Sequence, residues 1–212
     1  GEAWMLKRDL SRAYRQLRID PNDYKLLGFE WKGGYYFDTA PPFGLRTAAQ
    51  MCQRTTNALA FILGKAGINI INYVDDLACV ASNHTESITA GLRIDDIVDK
   101  CGLVLAEHKS VNSTRRMTFL GILFDSEKLT MEVTESRLAE IKSELEKWSA
   151  RKRATKQEIQ SLAGKLQFIA KCCKHGRCFM SRIIAALKKL KRSSHSIYLN
   201  KEFRKDILWW QC

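Results

Sequence analysis

The sequence predicts an α+β fold in which a mixed first part is followed by a helical second part. Up to residue 132, short alternating apolar stretches typical of strands are interspersed with stretches of helical periodicity. From residue 133 onward only helical periodicity remains. The charge changes at the same place, because residues 1–132 carry 16 Lys and Arg against 16 Asp and Glu, whereas residues 133–212 carry 19 against 7. We therefore predict two domains, 1–132 and 133–212.

The first elements are separated by turn-forming residues and place one acid at the end of a strand. Lys32-Gly33-Gly34 predicts a tight turn, and Pro41-Pro42 interrupts the strand pattern before a helix. In chain order we expect a strand (3–10) ending near Asp9, a helical turn (11–17) containing Tyr14, a hairpin (24–38) and a helix (46–65).

The stretch Ile68–Ala81 predicts a hairpin that holds two adjacent carboxylates at its bend. Apolar, β-rich runs flank Asp75 and Asp76 on both sides. Two like charges at the tip of a buried strand pair repel each other unless a cation neutralises them, and a divalent metal suits this role. The alternative is an ordinary Asp-Asp turn at the surface.

The rest of the first domain completes an antiparallel sheet with helices on one face. Asn83 predicts the N-cap of a helix that continues to about Cys101, because an acid follows it at Glu86. Beyond Gly102 we expect a strand running to Lys109, and then a hairpin that pairs residues 117–124 with residues 129–133.

The second domain is predicted to be all-helical. Thr155 and Glu158 form a capping box that opens its second helix, and Lys174-His175-Gly176 separates that helix from a third, antiparallel one. The apolar stripes of the helices are Leu138, Ile141, Leu145 and Trp148, then Ile159, Leu162, Ala163, Leu166 and Ile169, then Ile183, Ile184 and Leu187, and finally Phe203, Ile207, Leu208 and Trp209.

The basic charge of the second domain indicates a polyanion as partner. Residues 151–192 contain 13 basic residues and a single acid, Glu158. A surface of one sign is typical of proteins that bind nucleic acid, although a lysine-rich solvated helix face has the same composition.

Composition narrows the class of protein further. The chain has 212 residues, of which 45% are hydrophobic, enough for a sizeable core. It has no run of 18 apolar residues and no signal peptide, and its seven cysteines are odd in number without regular spacing. We therefore expect reduced thiols, an intracellular location in cytoplasm or nucleus, and no membrane partner. A first residue other than Met suggests a piece of a longer polypeptide.

One cluster of possible zinc ligands occurs in the second domain, at Cys172, Cys173, His175 and Cys178. Helix packing explains this cluster better than a zinc site does, since adjacent cysteines do not readily bind one tetrahedral ion.

Five motifs occur in an order that resembles one known family. They are Asp9 followed by Tyr14, Pro42-Phe43-Gly44-Leu45 at the start of a helix, Tyr73-Val74-Asp75-Asp76, Gly102-Leu103 leading to Lys109, and Phe119-Leu120-Gly121. This series resembles a retroelement reverse transcriptase. Residues 159–166 resemble the thumb helix of that family, and the Pro-Phe-Gly-Leu form and Trp209-Trp210 resemble LTR and DIRS-type retrotransposons more than retroviruses. The resemblance implies a right-hand polymerase palm at 1–132, then a thumb and the start of a connection at 133–212.

The chemistry of such a polymerase requires carboxylates from different strands that converge on two divalent ions. Asp9 and the Asp75-Asp76 pair supply three, and an all-oxygen set suits Mg²⁺, or Mn²⁺ in its place, rather than zinc. The resemblance implies that Asp9, Asp75 and Asp76 are the metal ligands, with Asp9 and Asp75 the firmest. It also implies that Lys109 protonates the pyrophosphate leaving group, although a plain surface lysine is equally compatible with the sequence.

The resemblance assigns the remaining site residues to two substrates. Tyr14, Phe43 and Gly44 would contact the incoming dNTP, Tyr14 by excluding a 2′-hydroxyl; the alternatives are a core tyrosine and a simple helix start. The primer and its RNA or DNA template would be bound by Tyr73, Gln160, Gly164, Lys165, Phe168, Lys171 and Arg182. Gln160, Gly164 and Phe168 share one helix face, which could follow a minor groove or pack against another helix with Gly164 as the close contact.

Part of the family pattern is missing. The fingers region that precedes the first aspartate motif is largely absent, so we expect it upstream, and an RNase H-like domain often follows the family's polymerase. The main prediction is an RNA-directed DNA polymerase fragment of a retrotransposon. The alternatives are a domesticated or decayed palm-thumb module that binds without catalysis, and a polymerase of another palm type.

Overall fold

A computed structural model of the chain describes residues 3–211, and in it the chain divides into two compact units. The first unit contains the described residues through Phe119 together with Phe124–Thr130. The second contains Leu120–Leu123 and the described residues from Met131 onward. The α+β class is confirmed.

The elements of the first unit follow the predicted alternation of strands and helices. In chain order they are β1 (Trp4–Asp9), α1 (Ala13–Gln16), a 3₁₀ helix (Pro21–Leu27), β2 (Gly28–Trp31), β3 (Gly34–Phe37), α2 (Ala48–Lys65), β4 (Ile70–Tyr73), β5 (Asp76–Ala81), α3 (His84–Lys100), a 3₁₀ turn (Glu107–Lys109), β6 (Val111–Thr114) and β7 (Arg116–Phe119).

A four-stranded antiparallel sheet in the order β4-β5-β1-β6 is the centre of the first unit. One of its faces buries Leu6 and Leu77 in a cluster with Leu63 of α2 and Ile94 of α3. The other face buries Met5 and packs against β7. Both long helices therefore lie on one face, as predicted, and β1 is a central strand with both faces buried.

Three details of the first unit differ from the prediction. Residues 102–109 form no strand beyond a single bridge between Leu105 and Leu10, and the strand beside β1 is instead β6. The first strand of the predicted hairpin, residues 24–31, begins as a 3₁₀ helix. The side chain of Asp20 caps this helix by accepting a hydrogen bond from the N–H of Asn22, and Pro21 occupies its first position. Its short hairpin β2–β3 keeps an exposed aromatic surface.

The predicted strand 117–124 is two strands. Leu120 and Gly121 adopt φ of +49° and +77°, so the chain turns there between β7 and β8 (Ile122–Asp125). Strand β9 (Thr130–Val133) follows β8, and β7, β8 and β9 form a small sheet in that order.

The second unit is largely helical, but the prediction of helices alone is wrong. Its elements after β9 are α4 (Glu135–Ala150), β10 (Arg153–Thr155), α5 (Lys156–Ile169), a 3₁₀ turn (Cys178–Met180), α6 (Ser181–Lys188), β11 (Ser196–Tyr198) and α7 (Lys201–Gln211). Strands β10 and β11 pair antiparallel in a two-stranded sheet. Each is three residues long, too short for a period-2 pattern to be recognised.

The core of the second unit is formed by the predicted apolar stripes. Ile141, Leu145, Ile159, Leu162 and Ile183 are all almost fully buried in one cluster. The predicted capping box is present, with Thr155 and Glu158 each bonded to the other's backbone N–H. Within residues 3–211, no helix is both long and apolar enough to cross a membrane.

Candidate active site

Three acids predicted as site residues lie at one end of the central sheet. Asp9 ends β1 and is the register partner of Asp76, the first residue of β5. The backbone N–H of Leu10 donates to the carbonyl of Asp75 at 3.0 Å, which fixes the β4–β5 turn against the end of β1. The hairpin and its bend at Asp75 are thus as predicted.

The β4–β5 turn contains a strained residue that helix α2 holds in place. Val74 has φ +52°, a left-handed conformation that a β-branched residue rarely adopts and that costs about 1–3 kcal/mol. Its N–H donates to Oε1 of Gln53 at 2.8 Å, and its carbonyl accepts from Sγ of Cys52 at 3.5 Å. Burial, and then the charge of Asp75, raise the pKa of the Cys52 thiol to about 11, so this thiol stays a neutral donor.

Two lysines contact the carboxylates. Nζ of Lys7 lies 2.5 Å from Oδ1 of Asp76, and Nζ of Lys109 lies 3.1 Å from Oδ1 of Asp9. Lys109 reaches Asp9 because the N–H of Ala106 donates to the Asp9 carbonyl at 2.7 Å, which docks the 3₁₀ turn onto β1. The bond to Asp9 raises the pKa of Lys109, so its ammonium form is favoured beside the site.

Asp75 has no ion-pair partner among residues 3–211. Partial burial raises the pKa of its carboxyl group, and the charges of Asp9 and Asp76 add to this effect despite an opposing backbone hydrogen bond and Lys109. A carboxylate that is destabilised by burial and by neighbouring negative charge favours a bound cation.

The carboxylate oxygens match the chemistry of Mg²⁺, but they are not gathered into a set of three. Within the described part of the chain, no group of three or more His, Cys, Asp or Glu side chains is arranged to hold a metal ion. Mg²⁺ is often held by only one or two carboxylates, with water and phosphate completing its shell. Asp75, which has no ion-pair partner among residues 3–211, leaves a carboxylate for such a cation, and the metal roles of all three acids stay predictions.

A cavity of about 510 Å³ lies beside Asp75 and joins several predicted residues. Its walls include Tyr14, Phe43, Asp75 and Lys109, and the rings of Tyr14 and Phe43 are 5.6 Å apart. Gly44, next to Phe43, has φ +93°, a conformation for which glycine is suited. Tyr14 is half-buried at this wall, where it also packs against the core.

Sequence reasoning missed three cationic residues of this region. Arg12 lines the cavity, is exposed and has φ +45°. Arg8 is buried and forms a bidentate pair with Asp95 of α3, at 2.6 and 3.1 Å. Lys7 and Arg8 carry a signal that could have been read from the sequence, because consecutive charges in a buried strand each require a partner.

The predicted nucleic-acid residues other than Tyr73 lie in the second unit. On α5, Gln160 and Gly164 are exposed, and a Cβ built at Gly164 would meet no atom of the described residues within 4 Å outside its own helix backbone, so this glycine is not a packing contact among them. Phe168 of the same helix is half-buried, with the guanidinium of Arg137 at 4.7 Å and Nζ of Lys171 at 5.3 Å from its ring centre. Tyr73, in the first unit, is exposed at the end of β4.

Two of the residues predicted to bind the primer and template are paired with acids. Lys165 contacts Glu140 at 3.0 Å and also Glu144, and its pKa is raised by these bonds. Arg182 contacts the buried Asp206 at 2.8 Å and Glu202 at 3.4 Å. Their nucleic-acid roles stay predictions, and the ion pairs show that both residues also join helices within the second unit.

Comparison with known proteins identifies the family. Residues 1–124 match the family model described as reverse transcriptase (RNA-dependent DNA polymerase). The chain is 27% identical over 163 residues to the genome polyprotein of Petunia vein clearing virus, and 26% identical over 125 residues to the enzymatic polyprotein of Figwort mosaic virus. These matches cover 77% and 59% of the chain but only 7% and 18% of the two relatives.

The fold matches solved structures as well. A foamy viral protease-reverse transcriptase in complex with double-stranded DNA superimposes with a TM-score of 0.77 at 16% identity, over 99% of this chain and 35% of that one. The same viral protein with an RNA/DNA hybrid gives 0.73 at 16% identity, over 98% and 26%. With a family match over more than half of its length and this fold, the chain belongs to the reverse transcriptase (RNA-dependent DNA polymerase) family.

Proposed function

We propose that this chain is the palm and thumb of an RNA-directed DNA polymerase from a retrotransposon, which adds dNTPs to a primer 3′ end. The observation that carries the proposal is the register of Asp9 with Asp76 beside Asp75, in a chain whose residues 1–124 match the family. The first unit would be the palm and the second the thumb. Fingers upstream, an RNase H-like domain downstream and an intracellular location are parts of the same proposal.

The residues of the first unit divide the chemistry between them. Asp9 and Asp75, with Asp76 completing the set, would hold Mg²⁺, or Mn²⁺, which when bound stabilises the attacking and leaving oxygens of phosphoryl transfer. Tyr14 and Phe43 would form the wall against the sugar of the dNTP, and Arg12 would face its phosphates. Lys109, whose raised pKa keeps it protonated, would hold a proton beside the pyrophosphate leaving group.

The second unit would bind the duplex of primer and template. Gln160 and Gly164 leave an open helix surface, and Phe168 carries two cations beside it. Such a surface suits hydrogen bonding in a minor groove and contact with phosphates. The foamy viral relatives are complexes with double-stranded DNA and with an RNA/DNA hybrid, which supports a duplex as the partner here.

Primer extension tests the proposed activity. The full parent polypeptide that contains this chain should extend oligo(dT) on poly(rA) with Mg²⁺, and Asp75→Asn should lower the rate at least about a thousandfold. Asp96→Asn is the matched control, because Asp96 is an exposed acid on α3 paired only with Lys100 in the described chain. A parent protein that binds duplex tightly but extends no primer would support the non-catalytic alternative.

A further inference from the structure

A cavity of about 380 Å³ lies in the first unit, on the opposite side of β1 from Asp9, and no predicted role uses it. Helix α3 forms one wall, and strands β1 and β6 form the other. Leu6 and Arg8 project to this side of β1, because side chains alternate along a strand. The volume falls within the range of small-molecule sites.

An irregularity of β6 turns two consecutive polar side chains into this cavity. The register partners of Met5 and Lys7 lie three residues apart in β6, whereas Met5 and Lys7 are two apart, so β6 contains one extra residue. In a regular strand Asn112 and Ser113 would face opposite sides of the sheet, yet both line the cavity. Such bulges re-aim side chains and often lie next to active sites.

Two hydroxyl groups in the cavity walls have no partner in the described chain. Oγ of Ser87 and Oγ of Ser113 are shielded from solvent and make no hydrogen bond within residues 3–211. Buried hydroxyl groups of native proteins are usually paired, so two unpaired ones around one cavity indicate a missing partner. A change of χ1 is enough to turn a serine oxygen toward a molecule in the cavity.

Arg8 adds a third donor without a partner in the described chain. Its buried guanidinium donates twice to Asp95 and once each to the carbonyls of Lys7 and Val111, which leaves one N–H of Nη2. Gly91 of α3 keeps the space beside this group open, because a Cβ built there would lie 3.2 Å from Nη2. The charges of Arg8 and Asp95 cancel, so this pair offers a donor without a net charge.

The rim of the cavity is apolar. Ile88 and Leu92 of α3 line it, and they are 47% and 68% exposed. An apolar rim above hydrogen-bond donors suits a molecule with an apolar body and a carbonyl oxygen. An ionised group would lose its hydration there without gaining an uncompensated opposite charge.

We propose that the cavity between α3 and β6 is a binding site for an uncharged small molecule, such as an amide or lactam, whose carbonyl oxygen accepts from Ser87, Ser113 and Arg8. The inference goes beyond the proposed polymerase function and does not depend on it.

Three probes with similar ring bodies test the chemical class of the ligand. ε-Caprolactam is neutral, cyclohexanecarboxylate is an anion and cyclohexylammonium is a cation. Titrated into the 212-residue chain, ε-caprolactam should shift the amide NMR signals of Gly91 and Ser113 and bind at least about tenfold more tightly than either ion. Equal or tighter binding of either ion would overturn the proposal, and so would the absence of shifts at these two residues.

Ser87→Ala combined with Ser113→Ala tests the hydroxyl groups. The double variant should bind ε-caprolactam about tenfold more weakly, because two hydrogen bonds are lost. Without the probe its thermal midpoint should not fall, since neither hydroxyl has a partner among the described residues. Ser143→Ala, at an exposed serine of α4, is the control and should change neither quantity. Unchanged affinity, or a lower midpoint of the unliganded double variant, would overturn the assignment.

Discussion

The acidic site of the first unit and the basic helices of the second unit both combine charged side chains held in ion pairs with charged side chains that have none among the described residues. The charge without an ion-pair partner is negative in the first unit and positive in the second. In the first, Lys7 pairs with Asp76 while Asp75 stays without an ion-pair partner in the described chain. In the second, the buried Asp206 holds Arg182, while Lys171 lies against the ring of Phe168. Each region thus contains both fixed and available charges.

The difference lies in which partner is buried. In the second unit the buried member of the Arg182 pair is the acid, and Arg182 itself is about half exposed. Lys165 is paired with Glu140 and Glu144, which are partly open to solvent. Residue type and spacing predict where charge gathers, but the burial of the partner decides which charges can meet a ligand.

The largest expected effect tests whether Arg182 is a fixed charge. Arg182→Ala leaves Asp206 buried without its cation and should lower the free energy of unfolding by about 2–3 kcal/mol. Urea denaturation measures it, with Lys188→Ala, an exposed lysine of the same helix, as the control. A loss below about 0.5 kcal/mol would show that Asp206 does not need the charge of Arg182, so that Arg182 is not a fixed charge.

Asp75→Asn tests the opposite case, a charge without an ion-pair partner in the described chain. Because burial raises the pKa of Asp75, its ionised form is less favourable in the folded protein. The protonated carboxyl group of Asp75 stabilises the fold below its ordinary pKa of 3.8, and this stabilisation is lost as the pH rises through the raised pKa of the folded protein. At neutral pH without metal, the variant should therefore be more stable by about 1 kcal/mol.

Thermal melting against pH measures this gain, which should shrink below about pH 4. Added Mg²⁺ should raise the melting temperature of the wild type and not that of Asp75→Asn. A variant less stable than the wild type would show that the Asp75 charge is already compensated.

Thr155→Ala tests a charge held by hydrogen bonds rather than by an ion pair alone. The N–H of Thr155, then Arg151 and then the hydroxyl of Thr155, which donates to Glu158 at 2.8 Å, lower the pKa of Glu158 to about 2, and Thr155→Ala removes only the hydroxyl. Glu158 therefore stabilises the fold above its ordinary pKa of 4.5, and this contribution is lost as the pH falls from about 4.5 to about 2.

Losing the Thr155 cap should cost about 1 kcal/mol at pH 7 and reduce the acid dependence. Chemical denaturation at pH 7 and pH 3 measures both. Thr134→Ala is the matched control, because Thr134 begins α4 without a side-chain cap. Equal losses in the two variants would mean that the reciprocal bonds of Thr155 and Glu158 add nothing.

The smallest effect compares two lysines of the second unit. Lys171→Ala should lower the slope of log binding constant against log salt by about 0.9, the value for one lost phosphate contact. Lys165→Ala should lower it less, because Glu140 and Glu144 share its charge. Fluorescence anisotropy with an RNA/DNA duplex gives both slopes. A larger change for Lys165 would reverse the ranking of fixed and available charges.

Local patterns predicted what is local. The Asn83 cap, the Thr155 and Glu158 box and the bend at Asp75 each depend on residues a few positions apart, and each is present. The meeting of Asp9 with Asp76 was predicted only through the ordered motifs, since no local pattern pairs residues so far apart.

Features that depend on distant partners were missed. Strand β6 forms by pairing with the edge of β1 that β5 leaves open. Strands β10 and β11 form by pairing with each other, although about 40 residues separate them in the chain. The ion pair of Lys7 with Asp76 follows from the β1–β5 register, which a pattern within either strand does not contain. The turn at Leu120 went unnoticed because leucine rarely takes a positive φ.

The left-handed Val74 limits how the β4–β5 hairpin can be transferred to another protein. Its conformation depends on Gln53 and Cys52 of α2, so the sequence of β4 and β5 alone does not encode the turn. An isolated hairpin peptide would relax to other turns, and a graft into a new scaffold would misplace Asp75 unless residues 48–65 were transferred with it. The smallest segment that could keep this turn in a new scaffold is therefore helix α2 together with strands β4 and β5.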